Sequence, residues 1–304
     1  MLSSPSSVRR GTLVGSTAVL LWGALATLTV LSGDIPPFQL LAMAFALATL
    51  IGLLPALWGG LATRPSASAQ DAEQERRVAN PPYKLPLAVW ALGIYGLFGY
   101  HFAYFMALRH APPVAANLIN YLWPLLIVLF AGLLPGERLG GRQVAGALAG
   151  FGGAALLVTG GGGLRLEPQY VLGYGLALLC ALIWSSYSVL SRRVGSVPTR
   201  AVGGFCAATA ALALVCHLLF EQTVWPVGWQ WAAVVALGLG PIGAAFYTWD
   251  YGVKRGNIQT LGALAYGAPL LSTLLLVAVG LAEPSWTLAA ACGLIVGGAA
   301  LARG

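Results

Sequence analysis

The chain has 304 residues, of which 58% are hydrophobic and only 8% are charged, and its mean hydropathy is +0.80. These values lie far from the averages of water-soluble domains, so they exclude an ordinary soluble enzyme or binding module. The formal net charge of +7 does not call for a nucleic-acid partner, because basic residues also set the orientation of membrane proteins.

Ten apolar runs follow one another along the chain, most of them near the ~20 residues that a helix needs to cross a bilayer. Helices are expected because the lipid interior offers no partner for unpaired backbone N–H and C=O groups. The runs lie at about 12–31, 38–58, 85–108, 113–134, 142–160, 171–190, 200–220, 229–252, 258–280 and 287–302. The sequence therefore predicts an all-α membrane protein with ten transmembrane helices.

Lysine and arginine residues are distributed unequally among the gaps between these runs. Fourteen of the sixteen lie at the termini or in alternate gaps, and only Arg109 and Arg165 lie in the other gaps. Because basic residues next to spans are retained in the cytoplasm, both termini and the polar loop at about 59–84 are predicted to be cytoplasmic. Membrane lipids, including anionic ones, are the partners expected at these basic ends.

The second half of the sequence repeats the first. A shift of 145 positions aligns residues 124–126 with 269–271, both Pro-Leu-Leu, and further upstream a shift of 162 positions aligns Trp22 with Trp184. Each copy contains five predicted spans, and an odd number places the second copy upside down relative to the first. Such inverted repeats are the architecture of many secondary transporters.

These repeats predict two domains and a meeting point between them. The first repeat is assigned to residues 1–160 and the second to residues 161–304. Pro124 and Pro269 occupy equivalent positions inside spans, where proline removes a backbone donor and frees the carbonyl four residues earlier. We predict that the kinked helices meet near the pseudo-axis, beside a substrate cavity. A simple packing kink is the alternative.

Eight polar or aromatic side chains lie deep inside predicted spans and are the candidate substrate-binding residues: Trp22, Tyr100, His101, Tyr104, Asn120, Trp123, Trp184 and Trp249. Their rings can bind an ammonium group and an apolar side chain through cation–π attraction and stacking. They can equally serve packing, and Asn120 can form a hydrogen bond between helices. His101 can contact substrate, carry a proton or bond a neighbour.

Ionisable residues give little sign of proton coupling. No Asp or Glu lies at mid-depth in a predicted span, so the usual carboxylate relay is missing and we predict facilitated diffusion or exchange. Asp250 lies near the end of its span, four residues before Lys254, and a local ion pair between them is expected.

No motif indicates an enzyme, a cofactor or a metal site. The sequence lacks the GxSxG, Walker, HExxH and EF-hand patterns. Its four cysteines all lie inside predicted spans without a CxxC pair, as small apolar residues do. We therefore predict that the protein is not an enzyme and needs neither cofactor nor metal.

The motif around Pro124 carries a family resemblance. The segment 120–124, Asn-Tyr-Leu-Trp-Pro, resembles the fourth span of the aromatic amino acid exporters called YddG, in the drug/metabolite transporter superfamily. Residues 182–184, 256–257 and Tyr266 are similar to the matching second-half segments of the two-repeat EamA pattern. The resemblance implies a ten-helix carrier of the bacterial inner membrane that exports aromatic and other amino acids and handles paraquat-like cations.

The sequence-based hypothesis is an alternating-access exporter of broad specificity, with the eight candidate residues around a central cavity. An exporter of cationic drugs or other small metabolites is the alternative within the same class. From other classes, an intramembrane hydrolase, a lipid scaffold or a channel are weaker alternatives. The sequence predicts no oligomeric state and does not rank individual amino acids.

Overall fold

All regular secondary structure is helical in the computed structural model, which describes residues 5–54, 85–135, 137, 139–163, 165–280 and 283–303. The first half contains α1 (Pro5–Gly23), α2 (Leu25–Leu31), α3 (Pro37–Leu53), α4 (Leu87–Ile94), α5 (Tyr100–His110), α6 (Pro113–Asn120), α7 (Trp123–Ala131) and α8 (Gly141–Thr159). The second half contains α9 (Val171–Arg193), α10 (Ala201–Phe220), α11 (Gln230–Leu239), α12 (Ala245–Arg255), α13 (Ile258–Ala265), α14 (Gly267–Ala278) and α15 (Trp286–Arg303).

Eight helical segments are long and apolar enough to cross a membrane: Pro5–Leu31, Leu87–His110, Pro113–Ala131, Gly141–Thr159, Pro168–Arg193, Ala201–Phe220, Gln230–Arg255 and Ile258–Ala278. Pro37–Leu53 and Trp286–Ala302 are shorter apolar helices. The prediction of an all-α membrane protein is therefore confirmed, and each of the ten predicted runs overlaps one of these segments. The loop predicted at about 59–84 lies outside the described residues.

Helix bounds in the two halves recur at the spacing of the sequence repeat. A π-helical turn joins α4 to α5 at Tyr95–Gly99, and a second joins α11 to α12 at Gly240–Ala244, which is 145 positions later at both ends. The bounds of α5 and α6 likewise return, 145 positions later, as those of α12 and α13. Equivalent sequences thus produce equivalent departures from regular helix, and π-turns of this kind are frequent at functional sites.

Helix α1 packs directly against α12 because both present glycine at the crossing. A Cβ atom added to Gly15 would lie 2.9 Å from the Cα of Gly252, and one added to Gly11 would lie 2.6 Å from the backbone nitrogen of Gly256. Only glycine permits such a close backbone approach. The close crossing brings the deeper part of α1, with Trp22, against the middle of α12.

At one end of the helices, called here the Glu221 end, a buried carboxylate ties three helices together. Glu221, which follows α10, accepts hydrogen bonds from the backbone N–H groups of Phe38 and Gln39 at 3.0 and 3.1 Å, at the start of α3. His217 lies 3.0 Å from the same carboxylate, and Arg109 at the end of α5 lies 3.6 Å away. A carboxylate at a helix start satisfies unpaired N–H groups and the helix dipole together.

The other end, called here the Arg192 end, is held by a second set of charge contacts. α10 begins there and runs ~30 Å toward the Glu221 end, at 1.5 Å per residue. The Arg192 guanidinium donates to Glu137 at 2.6 Å and to the backbone carbonyls of Val253 and Gly256 at 3.0 and 2.6 Å. These contacts join the end of α9 to the segment before α8 and to the end of α12.

Candidate functional site

Four indoles form a compact cluster where α1, α7, α9 and α12 meet, called here the tryptophan quartet. Its members are Trp22, Trp123, Trp184 and Trp249. Every pair of them is in ring contact, with centroids 5.1 to 6.4 Å apart. Half of the candidate residues predicted from the sequence therefore come together from four different helices.

Hydrogen bonds fix two of these indoles in place. Trp22 donates its Nε1–H to the backbone carbonyl of Pro241 at 3.1 Å, within the π-helical turn before α12. Trp249 is only 1% exposed and donates its Nε1–H to Ser188 Oγ at 3.0 Å, one helical turn beyond Trp184. A buried indole N–H needs such an acceptor. The rings are thus oriented by partners, and not by packing alone.

A tyrosine and asparagine network adjoins the quartet on the side of α5 and α6. The rings of Tyr100 and Tyr104 stack with centroids 6.2 Å apart, and Tyr100 also lies 5.5 Å from the Trp184 ring. Asn120 donates from Nδ2 to the Tyr100 hydroxyl at 3.1 Å, and Tyr104 donates to Asn117 Oδ1 at 2.6 Å. Three more of the predicted residues therefore belong to the same region.

Asn120 also presents an unused hydrogen-bond acceptor. The residue is 5% exposed, and its Oδ1 atom has no hydrogen-bond partner within the part of the chain that the structure describes. A buried polar atom left unpaired costs ~1–3 kcal/mol, so native proteins rarely retain one without a reason. An amide oxygen beside indole and phenol rings suits a ligand that brings an N–H donor.

His101 lies at the edge of this region and is held by its own helix. Its Nδ1 lies 2.7 Å from the carbonyl oxygen of Leu97, one turn earlier. Its ring contacts Phe45 at 5.3 Å, Phe246 at 6.0 Å and Tyr100 at 5.1 Å. The structure thus shows His101 bonded to a neighbour, one of the three roles left open by the sequence, and surrounded by aromatic rings.

Two phenylalanines and one asparagine of the region were not predicted from the sequence. Phe246 contacts Trp22 at 6.3 Å and Trp184 at 5.5 Å, and it stacks on Phe45 at 5.6 Å. Phenylalanine is common in every membrane span, so nothing in the pattern distinguished these two. Asn117 offered a usable signal, because it lies three residues before Asn120 and therefore shares its helix face.

The quartet is closed to a substrate in this conformation. Because the four indoles contact one another, a molecule the size of an amino acid can enter between them only if the supporting helices move apart. The sequence predicted a central cavity that opens to either side in turn; the structure shows the four indoles in mutual contact, and the cavity stays a prediction. The eight residues do lie together, and their role in binding stays a prediction.

A tyrosine hydroxyl is inserted into the break between α6 and α7. Tyr266 donates to the backbone carbonyl of Tyr121 at 3.1 Å and accepts from the N–H of Leu125 at 3.2 Å. In a continuous α-helix that N–H would donate directly to that carbonyl, four residues earlier. The hydroxyl therefore replaces a helical bond next to Pro124, a recognised cause of helix kinks. In the second half, α14 begins two residues before Pro269, after a break at Tyr266 alone.

Asp250 forms the ion pair expected from its spacing. Its Oδ1 lies 2.8 Å from Lys254 Nζ, and its Oδ2 accepts from the Thr199 hydroxyl at 2.8 Å. Lys254 also donates to the backbone carbonyl of Val197 at 3.0 Å. This buried pair joins the end of α12 to the start of α10, and Asp250 directly follows Trp249 in the chain.

A model of the EamA-like transporter family matches residues 9–159 and 171–304. The chain belongs to this family. Membership of this EamA-like family confirms the resemblance to the drug/metabolite transporter superfamily that the sequence motifs indicated. Membership also confirms the predictions that the protein is a multi-pass membrane transporter and that it is not an enzyme.

Two named proteins and one solved structure resemble this EamA-like transporter to different degrees. It is 54% identical, over 96% of both chains, to a protein of Ancylobacter novellus named aromatic amino acid exporter YddG. It is 27% identical, over 59% of this chain and 62% of the relative, to the aromatic amino acid exporter YddG of Escherichia coli K12. A solved crystal structure with 53% sequence identity covers 97% of both chains with a TM-score of 0.87.

Proposed function

We propose that this EamA-like transporter exports aromatic and other amino acids across the bacterial inner membrane by alternating access. The observation that carries the proposal is the tryptophan quartet with the unpaired Asn120 oxygen beside it. Indole and phenol faces attract an ammonium group and stack on an aromatic side chain, while the amide oxygen accepts an ammonium hydrogen. The names of the two relatives support the same substrate class.

Binding at this site is expected to be weak and broad. The eight candidate residues include no Asp, Glu, Lys or Arg, so neither end of a zwitterion meets an opposite charge among them. Discrimination between substrates then depends on ring contacts and a few neutral hydrogen bonds, which tolerate changes in the side chain. An exporter of this kind releases its substrate readily.

Two inverted five-helix repeats, in residues 1–160 and 161–304, provide the proposed movement. The recurrence of helix bounds and π-turns at 145 positions supports this arrangement. The quartet draws Trp22 and Trp123 from the first repeat and Trp184 and Trp249 from the second. Rocking one repeat against the other therefore separates the indoles and opens the site toward one side at a time.

The proposed orientation places the Arg192 end in the cytoplasm, together with both chain termini. The basic residues of alternate gaps support this assignment, because they are retained on the cytoplasmic side of a membrane. Arg109, one of the two basic exceptions, contacts Glu221 at the opposite end. In this orientation the substrate enters from the Arg192 end and leaves from the Glu221 end.

Counterflow in reconstituted vesicles tests the proposed function. Vesicles loaded with unlabelled phenylalanine should take up labelled aromatic amino acids saturably, and other amino acids more slowly, without a proton gradient. Transport of one amino acid alone, with micromolar or tighter affinity, would contradict the proposed specificity. Non-saturating flux would indicate a channel, and flux that requires a proton gradient would contradict facilitated exchange.

Export of cationic drugs is the second candidate function, since indole faces bind organic cations as well as ammonium groups. The same vesicles separate the two candidates. If a paraquat-like cation exchanges rapidly while every amino acid fails to compete, the cation exporter is correct. Competition by aromatic amino acids in the same assay supports the proposed function.

Replacing Tyr266 with phenylalanine is expected to slow exchange several-fold while leaving folded protein. The change removes the hydroxyl from the α6–α7 break. The Tyr121 carbonyl and the Leu125 N–H must then pair with each other directly or lose their hydrogen-bond partner, which changes the free energy of the break by ~1–3 kcal/mol. Initial rates of counterflow measure it. The matched control is Tyr121→Phe, the same atomic change at the repeat-equivalent position, and an equal effect there would count against a specific role for Tyr266.

A further inference from the structure

A basic cleft of about 540 Å³ opens at the Arg192 end, between α1, α9 and α12. Four cationic side chains line it: Arg10, Arg192, Lys254 and Arg255. The cleft is separate from the quartet, since Arg192 lies eight residues beyond Trp184 on α9, or ~12 Å along the axis. At that depth a side chain lies near the level of the lipid headgroups.

Two of the four cations are already neutralised. Arg192 pairs with Glu137 at 2.6 Å, and Lys254 pairs with Asp250 at 2.8 Å. Within the described residues, no carboxylate forms an ion pair with Arg10 or Arg255. The cleft therefore keeps two positive charges that an incoming anion can neutralise.

Arg255 is oriented for such a contact. Its guanidinium carbon lies 4.5 Å from the centroid of the Tyr251 ring, which also lines the cleft. Stacking on an aromatic face restricts the side chain while leaving its N–H donors at the edge. Arginine donors held in this way match the paired oxygens of a phosphate group.

The exposed face of α1 indicates which kind of anion reaches the cleft. Leu13 and Leu20 are 61% and 63% exposed, and both lie on the same helix face as Arg10 at spacings of three and ten residues. In a membrane helix an exposed apolar stripe faces lipid. Arg10, at the end of this stripe, therefore lies where the headgroup of a lipid would lie if the acyl chains of that lipid packed along Leu13 and Leu20.

We propose that this cleft binds the phosphate group of an anionic phospholipid, with Arg10 and Arg255 as its direct contacts and the acyl chains along Leu13 and Leu20. A phospholipid headgroup and free phosphate both present a phosphate anion. The leucine stripe favours the lipid, because the leucines can contact its acyl chains. Basic pockets between membrane helices are known to suit such headgroups. This proposal concerns binding and does not depend on which substrate the protein transports.

Lipid binding to the purified, delipidated full-length protein tests the proposal. Native mass spectrometry and the unfolding temperature are measured with phosphatidylglycerol, with phosphatidylcholine and with inorganic phosphate. Phosphatidylglycerol should be retained in preference to phosphatidylcholine and should raise the unfolding temperature, and inorganic phosphate should not. Equal retention of the two lipids, or protection by inorganic phosphate alone, would overturn a site for an anionic lipid.

A pair of double variants locates the site. Arg10→Gln with Arg255→Gln should weaken retention of phosphatidylglycerol by about tenfold or more, as expected when two surface-level cation contacts are lost. Arg9→Gln with Arg193→Gln removes the same charge from exposed residues outside the cleft and should leave retention unchanged. If both double variants lose the lipid to the same degree, the cleft is not the site.

Discussion

Replacing Trp123 with alanine should reduce amino acid exchange by about tenfold or more. The change removes a cation–π contact worth ~0.5–2 kcal/mol and also disorders the site. The ring contacts Trp22, Trp184 and Trp249 at centroid distances of 5.9 to 6.4 Å, so its removal takes one ring contact from each of the other three indoles. Truncating a buried indole also costs stability, by ~3–5 kcal/mol. Counterflow rates and unfolding temperature measure the two effects separately.

Two other variants make the result specific. Trp123→Phe keeps an aromatic face and should restore much of the exchange. Trp286→Ala removes an indole that is 90% exposed at the start of α15, and it should change neither measurement much. If Trp123→Ala protein is folded and exchanges substrate at the wild-type rate, Trp123 does not belong to the substrate site.

Replacing Asp250 with asparagine should lower the free energy of unfolding by ~3–5 kcal/mol, because it leaves the buried Lys254 ammonium without its counter-charge. Both side chains are almost fully buried, and the carboxylate also holds the Thr199 hydroxyl. Denaturant unfolding in detergent measures the loss. Any protein that remains folded should still exchange substrate without a proton gradient, since the Asp250 carboxylate is paired with Lys254 and Thr199 and serves stability.

The control for this prediction removes both charges. Asp250→Asn with Lys254→Gln leaves no unpaired ion, so it should be more stable than the single variant although it carries one more substitution. A double variant that is less stable than the single one would show that the cost comes from packing and not from charge. If the wild-type protein accumulates substrate in response to a proton gradient and the Asp250→Asn variant does not, Asp250 instead couples transport to protons.

Much of the fold was accessible from the sequence because the bilayer imposes a strong constraint. Every apolar run overlaps a helical segment, and the 145-position shift of the sequence repeat equals the spacing of the π-turns at Tyr95–Gly99 and Gly240–Ala244, which the sequence did not predict. The Asp250–Lys254 pair was also predictable, since residues four apart on a helix are neighbours. These are local consequences of composition and spacing.

The site was only partly predictable. Depth within a span selected Trp22, Trp123, Trp184 and Trp249, which proved to be mutual neighbours. It did not select Phe45 or Phe246, because an apolar side chain deep in a span has no distinguishing feature until its neighbours are known. The break between α6 and α7 shows the same limit. Pro124 predicted a kink, but the hydroxyl that occupies the break comes from Tyr266, 141 residues beyond Leu125.

The sequence by itself determined that the chain is a helical membrane protein with two related halves, because hydropathy, charge bias and repetition are properties of the chain alone. Only the tertiary structure decided that the four indoles close on one another, that Asn120 keeps a buried oxygen without a partner, and that Arg10 and Arg255 share a cleft. Each of these depends on how helices distant in sequence cross, and side-chain packing at a crossing is not encoded by any single helix.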